Sequence, residues 1–196
     1  MKRTFLLLML PLISSIVFAQ HKEDAVKLVD EGIEYEDKGN HVEAISKYDR
    51  ALELDSFNLN AFAEKAYSLL SLQQYDEAVK CCQKAIEKHP GEKGLRAVYV
   101  SYGNALDGEK NCNKAIEIYN EGINQYPDYY QLYFNKGITL FGTNMIDEAI
   151  LCFQKSASLN PKHASSHNAI ARGMNIMKNR ITAIMAYCLP FIPYIS

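Results

Sequence analysis

Among its 196 residues the chain has no Cys-x-x-Cys pair, no Gly-rich phosphate loop, no His-Glu-x-x-His and no Gly-x-Ser-x-Gly. Each absence removes a chemistry. Without paired cysteines, the 5 thiols (Cys81, Cys82, Cys112, Cys152, Cys188) match neither a zinc site nor a thioredoxin-type redox centre. The other three absences remove nucleotide hydrolysis, zinc peptidase chemistry and a serine-hydrolase elbow. His163 and His167, four apart, are the nearest approach to a metal pair, and they read better as a loop histidine and an interhelix histidine. The expectation is no enzyme, no metal and no cofactor.

Charge of one sign is scarce as well, the formal net charge being −2. The densest cationic stretch, Lys88, His89, Lys93 and Arg96, is broken by Glu87 and Glu92, which is a poor match to a phosphate backbone. Nucleic acid is therefore not an expected partner. No low-complexity linker or charge block divides the chain. The odd cysteine count, with Cys81 and Cys152 two units apart, argues against a structural disulfide, which needs α-carbons within about 7 Å.

The longest apolar run is short. It covers Phe5 to Phe18, interrupted by Ser14-Ser15, after the basic start Lys2-Arg3, and ends in Val17-Phe18-Ala19. A bilayer span needs about 20 residues, so this reads as a cleaved secretory signal over 1–19, with no cysteine after the cleavage point to carry a lipid. Loss of Lys2 and Arg3 takes the charge from −2 to −4. The mature chain is expected to start at Gln20 or His21, to have no transmembrane span, and to be periplasmic or secreted.

What the chain does have is a period. Ala44, Ala78, Ala115, Ala149 and Ala183 are separated by 34, 37, 34 and 34 residues, the extra three falling after His89-Pro90-Gly91. Twelve residues before each stands a small residue: Gly32, Ala66, Gly103, Gly137 or Ala171. Four after each stands Tyr48, Cys82, Tyr119, Phe153 or Tyr187. Leu28-Gly32-Tyr35 and its counterparts mark one face of a first helix, and Ala44-Tyr48-Ala51 and its counterparts mark one face of a second. Small residues let the two backbones approach while the large residue fills the space beside them. Pro90, Pro127 and Pro161 mark where units end. Asp76-Glu77 and Asp147-Glu148 fall at starts of second helices, where the helix dipole favours them, so they read as dipole complements rather than acid pairs.

This pattern resembles the tetratricopeptide repeat (TPR) family. The resemblance covers a lead-in at 20–24, full units at 25–58, 59–92, 96–129 and 130–163, and a partial unit at 164–188. The family's fourth-position aromatic is Leu28 in unit one and His167 in unit five. It implies an all-α, right-handed superhelical solenoid of antiparallel helix pairs. In the family a stripe at positions five, nine and twelve of each first helix lines a concave face. Here it reads Val29, Ile33, Glu36; Ala63, Tyr67, Leu70; Val100, Asn104, Asp107; and Phe134, Ile138, Phe141. Nine of these twelve are apolar, which suits a groove holding a partner segment, or else a stripe covered by neighbouring first helices. The expected partner-binding set is Val29, Ile33, Tyr67, Leu70, Val100, Asn104, Phe134, Ile138 and Phe141. The family's clamp for acidic chaperone tails needs Lys and Asn where Val29 and Ile33 stand, which argues against a chaperone-tail receptor.

The last residues, 189–196, are apolar with two prolines, Pro190 and Pro193. They interrupt the fifth second helix, so the chain reads either as a fragment of a longer repeat protein or as one whose tail docks on a partner or membrane surface. Two functions follow. One is a protein-interaction scaffold of the bacterial cell envelope, holding a peptide segment or partner subunit on the stripe. The other is a structural or self-associating repeat domain whose contacts are made by its C-terminal end.

Overall fold

A computed structural model describes residues 2–188, with side chains from 17 to 183; the apolar tail 189–196 lies outside the described residues. Among the described residues there are nine α-helices and no strand. They are α1 (Lys2–Asp37), α2 (His41–Leu54), α3 (Leu59–Ser71), α4 (Tyr75–Lys88), α5 (Leu95–Gly108), α6 (Cys112–Gln125), α7 (Tyr130–Gly142), α8 (Ile146–Leu159) and α9 (Ala164–Cys188). The chain forms two compact units that divide after Asn111. In the first, α1 packs on α2 and α3, and α3 packs on α4 and α5; in the second, α7 packs on α8, and α8 on α9. The expected signal segment is helical from Lys2 and continuous with the rest of α1. Among the described residues no helix is long and apolar enough to cross a membrane.

Helix pairing rests on a glycine facing a ring. A Cβ built on Gly32 would run into the Tyr48 ring, and one on Gly137 would sit 2.6 Å from the Phe153 ring. Both rings are fully buried. The bare glycine backbone therefore lets the second helix seat its aromatic on the first, as the spacing predicted. Ala66, with a methyl of its own, stands sixteen residues before Cys82, and both are fully buried. A smaller side chain on one helix meets a larger one on the other.

Four turns share one geometry. Gly39, Gln73, Lys110 and Asn144 all have positive φ, between 59° and 77°. In each turn this residue's N–H bonds to the carbonyl three back, and the next N–H reaches five back, as in Asn40 to Tyr35 (2.9 Å) and Asn111 to Leu106 (2.8 Å). This left-handed closure satisfies orphan carbonyls at the end of each first helix. Asp76-Glu77 and Asp147-Glu148 lie in the first turns of α4 and α8.

The fifth unit differs from its expected pattern. α9 is one unbroken helix, and Lys178, in register with the left-handed residues above, stays helical. Its contact with α8 uses Ser166 and Gly173, the latter against Ile150, while His167, Ala171 and Met174 are exposed. Among the described residues His167 is thus exposed rather than packed between helices.

Candidate partner-binding stripe

Each first helix carries the stripe at three heights, and the structure separates them. Position five is covered: Val29 is 5 % exposed, buried in a cluster with Leu28, Tyr48 and Ala61, so α3 takes it out of reach of a partner. Val100 is half-buried, and Phe134 packs on Phe153 with ring centroids 5.7 Å apart and on His163 at 4.7 Å. Position twelve is covered as well: Leu70 and Phe141 are half-buried, Phe141 lying against the core of α7 and α8 under the Arg172 guanidinium. At the same height Glu36 accepts hydrogen bonds from Ser68 (2.7 Å) and Tyr48 (3.1 Å), bridging three helices.

Position nine is open. Ile33 is 37 % exposed, Tyr67 52 % and Ile138 46 %, with Asn104 half-buried in the same register. Beside Ile33 lies a hollow of about 200 Å³ lined by Val26, Asp30, Asn58 and Glu64. Burial, and next the charge of Glu36, push the Glu64 carboxyl above its ordinary range. Of the nine expected contact residues, then, three present large apolar surface and Val29 presents almost none. Phe134 and Phe141 are half-buried, positions five and twelve lying about 40° and 60° to one side of position nine at 100° per residue, toward neighbouring elements. Sequence spacing alone does not show that difference.

No catalytic function is indicated. Among the described residues no group of three or more His, Cys, Asp or Glu could hold a metal ion. His163 Nδ1 meets Ser166 Oγ at 2.8 Å, and His167 Nε2 meets the Pro161 carbonyl at 3.0 Å, so the two rings are used separately. Cys81, Cys82, Cys112 and Cys152 form no disulfide among the described residues. Burial pushes Cys81 up to about 11 and raises Cys82 and Cys152 as well, which makes them packing groups rather than nucleophiles at neutral pH.

The tetratricopeptide repeat family pattern matches residues 29–93 and again 130–163, together about half of the chain. The chain carries tetratricopeptide repeats. Among curated relatives it is similar to the STIP1 homolog of Dictyostelium discoideum, 29 % identical over 153 residues, which is 61 % of this chain and 27 % of that protein. It is 40 % identical over 65 residues to the human mitochondrial import receptor subunit TOM34, covering 33 % of this chain and 21 % of that one. The chain thus spans about a quarter of the length of these repeat-bearing relatives. Solved structures share the fold. Pseudomonas aeruginosa pilF superposes with a TM-score of 0.71 at 22 % identity, covering 86 % of this chain and 75 % of that one. YrrB, described as a TPR protein with an unusual peptide-binding site, gives 0.58 at 22 % identity over 85 % and 84 %. Proteins built of these repeats mediate protein–protein interactions.

Proposed function

We propose that this TPR chain is a non-enzymatic scaffold that, within each of its two compact units, holds an apolar segment of a partner protein against position nine of the first helices, in the cell envelope of a bacterium. The observation that carries the reading is the exposure of Ile33, Tyr67 and Ile138 beside covered neighbours at positions five and twelve. Exposed apolar residues recurring at one register are costly unless something covers them. The names of relatives support the interaction class: one is an Hsp70-Hsp90 organizing protein and another a mitochondrial import receptor subunit. Export rests on Lys2-Arg3, the apolar run and Val17-Phe18-Ala19.

The test is a pull-down from envelope extract with the chain starting at Gln20, wild type beside Tyr67→Ala and Ile138→Ala. Partners captured by the wild type and lost by the variants support the reading; identical capture by all three rejects the stripe. N-terminal sequencing of the fractionated protein checks export, and an intact Met1 would reject it.

A second reading, self-association, draws on α9. Its face at His167, Ala171 and Met174 is the one that receives a second helix in α1 and α7, and a groove of about 400 Å³ continues along Met177, Lys178 and Ile181. Sedimentation of wild type and Met174→Glu/Ile181→Glu decides it: a dimer that dissociates in the variant supports the reading, and a monomer in both rejects it.

A further inference from the structure

In the first compact unit, position nine of α1, α3 and α5 is the centre of a broader face. At about 100° per residue, positions two, thirteen and six lie about 20°, 40° and 60° to the other side of it from positions five and twelve. None of positions two, five, six, nine, twelve and thirteen on these three helices holds Lys or Arg. Five of them hold a carboxylate: Asp30, Glu36, Asp37, Glu64 and Asp107. The whole chain carries 21 Lys and Arg against 23 Asp and Glu, so the imbalance belongs to this face and not to the composition. Among the carboxylates stand the exposed apolar side chains Val26 (53 %), Ile33 and Tyr67.

Cations close by in the sequence lie off this face or are engaged elsewhere. Lys27 pairs with Glu23 at 3.0 Å and Lys65 with Asp49, both more than about 100° around their helices from position nine. Lys22, one turn before Val26, stands over the Phe18 ring, and Lys38 stands over the Tyr35 ring. Arg96 is about 80° off the face at the start of α5. Asp30, Asp37, Glu64 and Asp107 make no side-chain hydrogen bond or ion pair among the described residues, and Glu36 is bonded by two neutral hydroxyls. Burial and the Glu36 charge raise Glu64, and burial, then Glu36, then Glu64 and Asp37 raise the Tyr48 hydroxyl, as uncompensated negative charge does. The hollow of about 200 Å³ beside Ile33 gathers Asp30 of α1 and Glu64 of α3 into one lining, which Asn58 and Asn60 complete.

We propose that the partner segment held by this unit is cationic, with Lys or Arg spaced among apolar residues: one basic side chain enters the hollow between Asp30 and Glu64, and apolar side chains rest on Ile33 and Tyr67. This rests on the position-nine reading and adds the partner's charge to it. A long basic side chain suits such a face because its methylene stem covers apolar surface while its head reaches a carboxylate. At about 30 Å³ for each water-sized group, the hollow takes about six of them, the end of one such side chain. Other ligands fit less well. Among the described residues no group of three or more His, Cys, Asp or Glu could hold a metal ion, and a free polyamine leaves Ile33 and Tyr67 uncovered. Nucleic acid and anionic lipid are repelled. An acidic segment would meet five carboxylates and no cation, so the same charges that favour a basic partner exclude its opposite.

Four synthetic peptides of about ten residues, long enough when extended to cross three helices about 10 Å apart, test the proposal. Three share leucines at the same places and carry Lys, Ser or Glu between them; the fourth keeps the Lys and has Ser for Leu. Fluorescence anisotropy with the wild-type chain is expected to show the Lys/Leu peptide binding about tenfold tighter than any other, with its advantage over Ser/Leu shrinking at high salt. Asp30→Asn/Glu64→Gln should lower its affinity about tenfold and leave Ser/Leu within about twofold. Glu53→Gln/Glu87→Gln removes the same net charge from exposed sites on α2 and α4 and should change neither. Tyr67→Ala should weaken Lys/Leu and Ser/Leu alike, by about tenfold. Equal affinity for the Lys, Ser and Glu peptides, no binding of Lys/Leu, or equal loss in the two double variants overturns the proposal. Tyr67→Ala then separates the two readings. Peptides bound without charge preference but weakened by it leave position nine standing and remove only the cationic partner, whereas a Lys/Leu peptide indifferent to it removes position nine and this proposal with it.

Discussion

The hydroxyl of Ser68 donates to the Glu36 carboxylate at 2.7 Å, joining α3 to α1 across 32 residues of sequence. The same carboxylate accepts from the Tyr48 hydroxyl at 3.1 Å, so three helices meet on one acidic side chain. Ser68 and Tyr48 are fully buried, and removing their acceptor strands both hydroxyls. Glu36→Ala is expected to cost about 1.5–3 kcal/mol in urea unfolding, and Ser68→Ala about 1 kcal/mol. Equal midpoints for wild type and Glu36→Ala would show that the bridge contributes nothing.

Glu64 is pushed upward by burial and then by Glu36. A carboxyl whose folded pKa is raised above its unfolded value of 4.5 contributes stability below that value and loses it as pH rises through the folded pKa. Glu64→Gln removes that loss. The variant is expected to be more stable than wild type at pH 7, by under about 1 kcal/mol for a half-exposed group, with the difference vanishing near pH 4. Melting temperatures across pH 4–8 check the sign.

The glycine–ring pairing makes a prediction about substitution in pairs. A methyl on Gly32 or Gly137 meets a buried ring that has nowhere to go, so each Gly→Ala should destabilise by about 1–2 kcal/mol, packing strain outweighing the gain in helix propensity. Unit two already holds the other solution, Ala66 with Cys82. Cys82→Tyr alone should therefore be strongly destabilising, and Ala66→Gly/Cys82→Tyr together should recover much of the loss. Additive effects of the two changes would contradict direct contact across that position.

These examples show why the fold was legible in the sequence and the stripe only partly so. The Gly32–Tyr48 register repeats in the chain, and hydrophobic spacing reports it directly because both members are buried for the same reason in each unit. Val29 and Ile33 are alike in type and four residues apart, yet α3 covers one and leaves the other open, and no local pattern encodes which. Of the left-handed turn residues, Gly39 is of a type that favours positive φ, while Gln73 and Lys110 give no conformational signal in the sequence. At the fifth unit Ala171, Ala183 and Tyr187 keep the spacing of the repeat while α9 runs through Lys178 without a turn, so spacing alone does not report a turn there.

Gln73 and Lys110 hold a backbone conformation that costs an L side chain roughly 1 kcal/mol. Gln73→Gly and Lys110→Gly should each stabilise the protein, by up to about 0.5–1 kcal/mol after the added chain entropy of glycine is set against it. Gly39→Ala is the converse, and its thermal midpoint should fall. A loss of stability in both glycine variants would mean that their side chains contribute more than the turn geometry costs.

The division of the stripe predicts that two neighbouring residues on α7 behave oppositely. Phe134 contacts the Phe153 and His163 rings, so Phe134→Ala should open a cavity and destabilise by about 2–4 kcal/mol. Ile138, one turn along and 46 % exposed, touches no such cluster. Ile138→Ala should leave unfolding within about 0.5 kcal/mol of wild type while weakening a bound partner by about 1–2 kcal/mol. Tyr67→Ala, in the first unit, should follow Ile138→Ala in both respects. Chemical unfolding and titration of each variant with a captured partner separate the two roles. A stable Phe134→Ala that has lost its partner would move the binding surface to position five, and a destabilised Ile138→Ala would place position nine inside the core.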